Sequence, residues 1–267
     1  MRTNRLFWGL VLVILGGLLL LQTLGIITWN IWMVFWPALL ILAGAWMLLG
    51  PGLSKRTNTT ESLSIPLESA QEAVIDINHG AGFLKIGAGA NQVNLVDGTF
   101  AGGVEHRVDY SSQWASLTLS TPSNLIFGIP GGVGSEGLRW DVRLNETIPM
   151  EVRLHTGAGE TRADFSSVQV SKVSLQTGAS STIITLPARA GFTSVDVHAG
   201  AAAVVLRVPQ GVAGRIHLKT GLVGSKIDTN RFPFNGSVYE TPDYEGAQNR
   251  VEIFVEAGVA SIEITSA

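Results

Sequence analysis

The stretch Met150-Glu-Val-Arg-Leu-His-Thr-Gly-Ala-Gly, continued by Val173-Ser-Leu-Gln-Thr-Gly-Ala-Ser and Val195-Asp-Val-His-Ala-Gly-Ala-Ala, states one phrase three times between Met150 and Val208. Gly157, Gly178 and Gly200 fall in one column, 21 and then 22 residues apart. Five residues before each glycine stands Val152, Val173 or Val195, and three before stands Leu154, Leu175 or Val197. Four after stands Thr161, Thr182 or Val204, and six after stands Ala163, Ile184 or Leu206. Alternation of period two on both sides of the glycine is the strand period. The glycine suits a sharp corner, where the backbone is left-handed or crowded. The same register recurs around Gly80, Gly221 and Gly258. Two short strands meeting at a corner cannot bury their apolar side alone, whereas stacked copies can. The expected fold is therefore an all-β stack, a single-sheet coil of β-solenoid type. An antiparallel sandwich with glycine turns is the competing arrangement, but sandwiches rarely keep so fixed a column.

The charge distribution divides the chain. Up to Arg56 the only charged residues are Arg2, Arg5, Lys55 and Arg56, while the remainder holds 14 basic and 21 acidic residues. A net charge of -3 gives nucleic acid no evident footing. The absence of cysteine excludes disulfides, thiolate catalysis and cysteine zinc sites. Leu6 to Ile27 would make a helix of about 33 Å, and Ile31 to Leu49 one of about 28 Å. Both lengths suit a hydrocarbon core of about 30 Å. Trp8, Trp29, Trp32 and Trp46 stand near the span ends, where amphipathic rings favour the headgroup level. The first run is too long for a cleaved signal peptide, and no small-residue cleavage site follows it. Residues 1–56 are thus expected to be a transmembrane helical hairpin with spans at about 6–27 and 31–49. Residues 57–65 read as a polar tether and 66–267 as the β domain. Basic residues flank both outer ends of the hairpin and none lies in its turn. This places both ends, and with them the β domain, on the cytoplasmic face; the extracytoplasmic face is the alternative.

Further motifs give little chemistry. The loop Gly128 to Gly137 is glycine-rich but carries no lysine and leads into a strand at Leu138 to Leu144, so it is not a phosphate cradle. His155 and His198 share a column, but Gln176 stands in the rung between them. Two rungs separate the pair by about 9 to 10 Å, too far for shared zinc ligation at about 2.0 to 2.1 Å. His79 lies one residue before its glycine rather than two, and all three histidines are expected to be solvated. Glu240, Asp243 and Glu245 cluster in an insertion, with no cleft to pair them as a glycosidase would. No enzyme activity, cofactor, metal or small-molecule substrate is expected. The insertion Asn230 to Asn249 separates the Gly221 and Gly258 copies and concentrates Phe232, Phe234, Tyr239 and Tyr244. Taken in chain order, Arg250 to Ile264 is the last rung, and the insertion is its expected cover. The phenylalanines would fold over the end of the stack, with the tyrosines left either to cap it or to meet a partner.

Leu6-Phe7-Trp8-Gly9, Leu12, Leu15-Gly16-Gly17, Leu24-Gly25-Ile26 and Phe35-Trp36-Pro37 resemble the LiaF-like transmembrane region. The Gly-Ala-Gly corners at Gly80 and Gly157 resemble the toastrack domain of LiaF-like and adhesin-type proteins. So does the closing run Tyr239 to Tyr244, Asn249, Val251-Glu-Ile and Glu256-Ala-Gly-Val-Ala-Ser-Ile, in which Ala260 replaces the usual last glycine. The resemblance covers nearly the whole chain and implies a stacked β fold. It further implies a non-enzymatic, membrane-anchored regulatory or scaffold protein linked to cell-envelope stress signalling. Its partners would be the lipid bilayer and a membrane signalling protein or a second copy. The alternative is an adhesin-like or self-assembling structural protein of the cell surface.

Overall fold

The computed structural model describes Trp36, Pro37, Leu40 and Ile41, then residues 60–122, 138–220 and 224–267. The first four are helical and exposed. Among the described residues no helix is long and apolar enough to cross a membrane. Apart from those four residues, the two expected spans lie outside the described ones, as do Gly221 and the loop Gly128 to Gly137.

The remainder forms one mixed sheet of 15 strands. In chain order these are β1 (Thr60–Pro66), β2 (Glu72–Ala88), β3 (Asn94–Ala101), β4 (Glu105–Ser111), β5 (Trp114–Ser120), β6 (Arg139–Leu144), β7 (Met150–Asp164) and β8 (Val170–Thr185). There follow β9 (Phe192–Ala199), β10 (Ala203–Val208), β11 (Ala213–Thr220), β12 (Gly224–Ile227), β13 (Tyr239–Glu240), β14 (Arg250–Ala257) and β15 (Ser261–Ser266). Each rung has a half before the glycine column and a half after it. The first halves pair in the order β4-β5-β2-β7-β8-β9-β14-β11-β13, and the second halves in the order β1-β3-β6-β2-β7-β8-β10-β15-β12. Both ladders are parallel through their middle and antiparallel at some edges, as in β4 with β5 and β11 with β13.

In-register parallel stacking is what makes the columns. Ile75, Val152, Val173, Val195 and Ile253 lie side by side across five strands and are all buried. Ile86, Ala163, Ile184, Leu206 and Ile264 do the same in the second ladder. Both sets belong to one apolar core, completed beside β2 by Trp140, Val142 and Phe100. Fully burying each large apolar side chain contributes about 1.5–3 kcal/mol, so the columns supply the main cohesion of the stack.

The strand layout differs from the sequence reading in three places. In β2, β7 and β8 the chain runs through the glycine column as one bent strand, rather than as two strands joined at a turn. The left-handed backbone falls two residues past the column, at Gly82 (φ 123°) and Gly159 (φ 120°). At Gly157 itself the need is for space, because a Cβ there would stand 2.3 Å from the Gly80 carbonyl oxygen. Second, Thr60–Pro66 is strand β1, paired antiparallel with β3, and not part of a tether. Its alternation is carried by Leu63 and a buried Ile65 among serines, too sparse to register as a strand pattern. Third, the copy at the end of the chain is not the end of the stack. β14 lies between β9 and β11, and β15 between β10 and β12. The chain passes over one rung position to build β11–β12, then returns through Asp228 to Asn249 to fill the gap.

Candidate functional site

The bend in the strands sets a line of small residues along one ridge, and beside it the outward-facing residues two before each glycine form a polar column. In register order the column runs Asn78, His155, Gln176 and His198 on β2, β7, β8 and β9, then Glu256 on β14 and Lys219 on β11, with Ser120 of β5 paired beside Asn78; Ser120, Asn78, His155, Gln176 and His198 form its first stretch. Together with Gly80, Gly157 and Gly178 they line an open groove of about 840 Å³. Among the described residues no lysine, arginine, aspartate or glutamate lines it. Its polar groups are amides, hydroxyls and imidazoles.

Carboxylates stand beside the column. Asn78 Nδ2 donates to Asp76 Oδ1 at 2.9 Å, and His155 Nε2 lies 3.9 Å from the same carboxylate oxygen. His198 Nδ1 is 3.6 Å from Glu256 Oε2. Beneath the column, Thr156 Oγ1 donates to Thr177 Oγ1 at 2.9 Å, in a buried pair. Thr177 in turn bonds Ser180, which occupies the place of Gly159 one rung on. Thr121 closes one end, where its Oγ1 accepts from the Gly80 backbone N–H at 3.2 Å. The register places Gln176 between His155 and His198, so the two imidazoles do not converge. Among the described residues no group of three or more His, Asp or Glu side chains is arranged to hold a metal ion.

His79 is a correction. It is only 2% exposed and packs edge-on against Trp140, with ring centroids 5.0 Å apart. Residues two before the glycine face outward, so a histidine one before it faces the core. Burial pushes its pKa down to about 4, while a hydrogen bond to the Leu138 backbone works weakly in the other direction. Its Nε2 has no partner among the described residues. The folded state therefore resists protonation where an unfolded chain, titrating near 6.5, accepts it. Stability is fully present above about pH 6.5 and declines as the pH falls toward about 4, by about 3 kcal/mol in all. Urea midpoints between pH 4 and 7 should show that decline in the parent chain and lose this part of it in His79→Leu. Parallel profiles for the two chains would refute the assignment.

The insertion lies along β11. β13 pairs antiparallel with β11 at Ile216↔Tyr239 and Arg215↔Glu240. Phe232 is fully buried and sits against Gly214, where a Cβ would be 2.8 Å from its ring. Phe234 is 56% exposed, however, and packs on Tyr239, at 4.9 Å between centroids. Tyr244 is buried under the Arg215 guanidinium, 4.1 Å from its ring centre, and Tyr239 is half-buried. Of the clustered acids, Glu240 and Glu245 both pair with Arg215, whose pKa their hydrogen bonds raise. Arg231, which the sequence reading passed over, pins the insertion in place. Its guanidinium donates to the carbonyls of Val208 (2.7 Å), Pro209 (2.6 Å) and Val212 (2.8 Å). Of the expected corner glycines, Gly80, Gly157 and Gly178 border the groove, while Gly200 and Gly258 continue the column beyond it.

No curated protein matches the sequence. A solved structure of a candidate cell adhesion protein from Clostridium sporogenes superposes with a TM-score of 0.71 at 21% identity, covering 78% of this chain and 99% of that one. At that identity the likeness is one of fold. Residues 6–48 match the LiaI-LiaF-like transmembrane region, which marks the chain as membrane-associated. These are structural and regulatory kinds of protein rather than catalytic ones. Residues 54–207, from just ahead of β1 to Arg207 within β10, match the N-terminal domain of toast_rack, DUF2154, and by that match over more than half its length the chain belongs to the toast_rack family.

Proposed function

We propose that this protein is a membrane-anchored regulatory or scaffold protein of cell-envelope stress signalling, and that its β domain presents a surface to a membrane signalling protein or to a second copy of itself. The observation that carries this reading is the juxtaposition in one chain of a LiaI-LiaF-like transmembrane region at 6–48 and a toast_rack domain from 54. The bilayer segment supports action at the membrane, and the β stack offers an extended face for a partner. The charge pattern around the hairpin favours a cytoplasmic β domain.

A second reading, an adhesin-like or self-assembling surface protein, is favoured by the likeness to the candidate cell adhesion protein. The side of the membrane separates the two. A reporter fused after Ala267 should be active in the cytoplasm, and protease added outside intact cells should leave the β domain whole. Digestion of the domain in intact cells would overturn the regulatory reading and favour adhesion.

A further inference from the structure

On the outward face of the second ladder one row reads Lys85, Arg162, Ile183, Val205, Glu263 and Lys226, across β2, β7, β8, β10, β15 and β12. Beyond Lys85 it continues to Asp141, Thr99 and Ser62. We propose that a second copy of this chain packs face to face on the middle of this row, about a twofold axis that runs along the strands between β8 and β10. The proposal rests on the reading that the β domain offers a surface to a partner, and it names the part of that surface which meets a second copy.

Charge complementarity points this way. Ile183 and Val205 are register partners, half-buried, at the centre of a row that is charged on both sides of them. Arg162 stands one strand outside Ile183, and Glu263 one strand outside Val205. A half-turn about the axis between β8 and β10 exchanges the two sides. It lays Ile183 on the second copy's Val205 and Arg162 on its Glu263, and symmetry makes each contact twice. In the next row Arg207 of β10 comes over Thr185 of β8, beside Asp164 of β7. A half-turn about an axis across the strands would instead lay Arg162 on Arg162 and Glu263 on Glu263, so charge selects the first axis. From β7 to β12 this face carries three acids (Glu160, Asp164, Glu263) and three bases (Arg162, Arg207, Lys226), and so no net charge to repel a copy of itself. Like charges meet at the rim, where Lys226 comes over Lys85. Each is already held by its own acid, Glu263 at 2.8 Å and Asp141 at 3.2 Å.

Within one chain Arg162 also pairs with Glu160, at 2.6 Å. The contact therefore joins Glu160–Arg162 of one copy to Glu263–Lys226 of the other, in a line of alternating sign. Packed sheets lie about 10 Å apart, a gap that the two aliphatic side chains fill at the centre and the long charged ones cross at the flanks. Four strands at about 4.8 Å and five residues at about 3.3 Å cover about 19 Å by 16 Å, or about 300 Å² on each copy. Stable interfaces bury about 1,200–2,000 Å² in total, so the contact between free β domains is weak. Two chains held in one bilayer meet at a raised effective concentration, which offsets that weakness.

The chain has no cysteine, so single introduced thiols report one contact. Two differently tagged full chains, one Ser181→Cys and the other Ala203→Cys, are mixed in phosphatidylcholine vesicles and treated with a short bismaleimide. The axis sets these two residues face to face. The expected result is a cross-linked heterodimer, formed at a protein-to-lipid ratio at least about tenfold lower than when Gln176→Cys, on the first ladder, replaces Ser181→Cys. Arg162→Glu or Glu263→Arg, placed in both chains, turns two attractions into two repulsions and should raise the ratio needed about tenfold. The two changes together should restore it. Restoration is specific to contact between copies, because within one chain both substitutions still face like charge, at Glu160 and at Lys226. Melting temperatures confirm that the variants fold. Should a charge variant fail to fold, Ile183→Lys takes its place and should abolish the heterodimer. No heterodimer beyond the Gln176→Cys control would overturn the proposal, as would no loss in the single variants or no recovery in the double one. So would cross-linking of the Ser181→Cys chain in native membranes to another protein and not to a second copy, which would leave the regulatory reading standing. A heterodimer in vesicles together with digestion of the domain in intact cells would keep the proposal and remove the regulatory reading.

Discussion

Deleting residues 250–267 is expected to abolish folding of everything beyond β8, not to trim one rung from an otherwise intact stack. The deletion removes β14 and β15, which lie between β9–β10 on one side and β11–β12 on the other. It takes Val251, Ile253, Val255, Ile262 and Ile264 out of the core. At about 1.5–3 kcal/mol for each large apolar side chain, the direct loss is about 7–15 kcal/mol, as large as the whole stability of a typical domain at about 5–15 kcal/mol. The loss also spreads. β11 is left with only the two-residue pairing to β13, and the inner flank of β9 has no neighbour. Were the copies stacked in chain order, the same deletion would shorten the stack by its terminal rung, and nearest-neighbour energetics would leave the others folded. Limited proteolysis of the truncated chain in detergent distinguishes the two. Rapid cleavage throughout 187–249 is expected, and persistent protection of 192–227 would show that the inserted rung is dispensable.

The rung pattern was legible in the sequence for the same reason that the rung order was not. Val152, Val173 and Val195 fall into one column because parallel in-register pairing gives every member the same environment, so the same chemistry recurs at the same offset. That sameness makes the rungs interchangeable in pattern. Nothing in Val251-Glu-Ile says whether β14 should lie against β9, β11 or both. The physical signal was the length of the segment ahead of it: Asp228 to Asn249 is far longer than a turn between neighbouring rungs needs. Strand parity also held the answer for His79. It stands one residue off the column of His155 and His198, and in a strand that single step turns a side chain from solvent to core. The polar column itself was readable, including Gln176 between the two histidines. The groove beside it was not, because it arises from the bend of three continuous strands, and a period-two pattern does not report a bend. Arg231 gave no signal at all. A lone arginine among turn residues looks like solvated charge until the three carbonyls it binds are brought around it by the fold.

The glycine column should respond to alanine with a graded series that changes sign along the stack. A Cβ at Gly157 would lie 2.3 Å from the Gly80 carbonyl oxygen, at Gly178 2.7 Å from that of Gly157, at Gly200 3.1 Å from that of Gly178, and at Gly258 3.4 Å from that of Gly200. The obstacle each time is backbone, which cannot swing aside as a side-chain tip can. None of these four glycines has the left-handed φ that alanine would resist, so crowding alone sets the order. Gly157→Ala must push two rungs apart at their closest approach and should cost about 3 kcal/mol or more, at the upper end of overpacking effects. Gly178→Ala should cost less and Gly200→Ala less again. At Gly258 the contact is ordinary, and alanine should be neutral or stabilising by about 0.4–1 kcal/mol, through the freedom it removes from the unfolded chain. Gly159→Ala lies outside the series and should be the most damaging of all. There a Cβ would meet the Gly82 carbonyl oxygen at 2.1 Å, and φ is 120°, so steric and conformational costs add. Urea unfolding of the five mutant chains gives the order directly. Equal losses at Gly157 and Gly258 would mean that these glycines serve the bend of each strand separately and not the approach of one rung to the next.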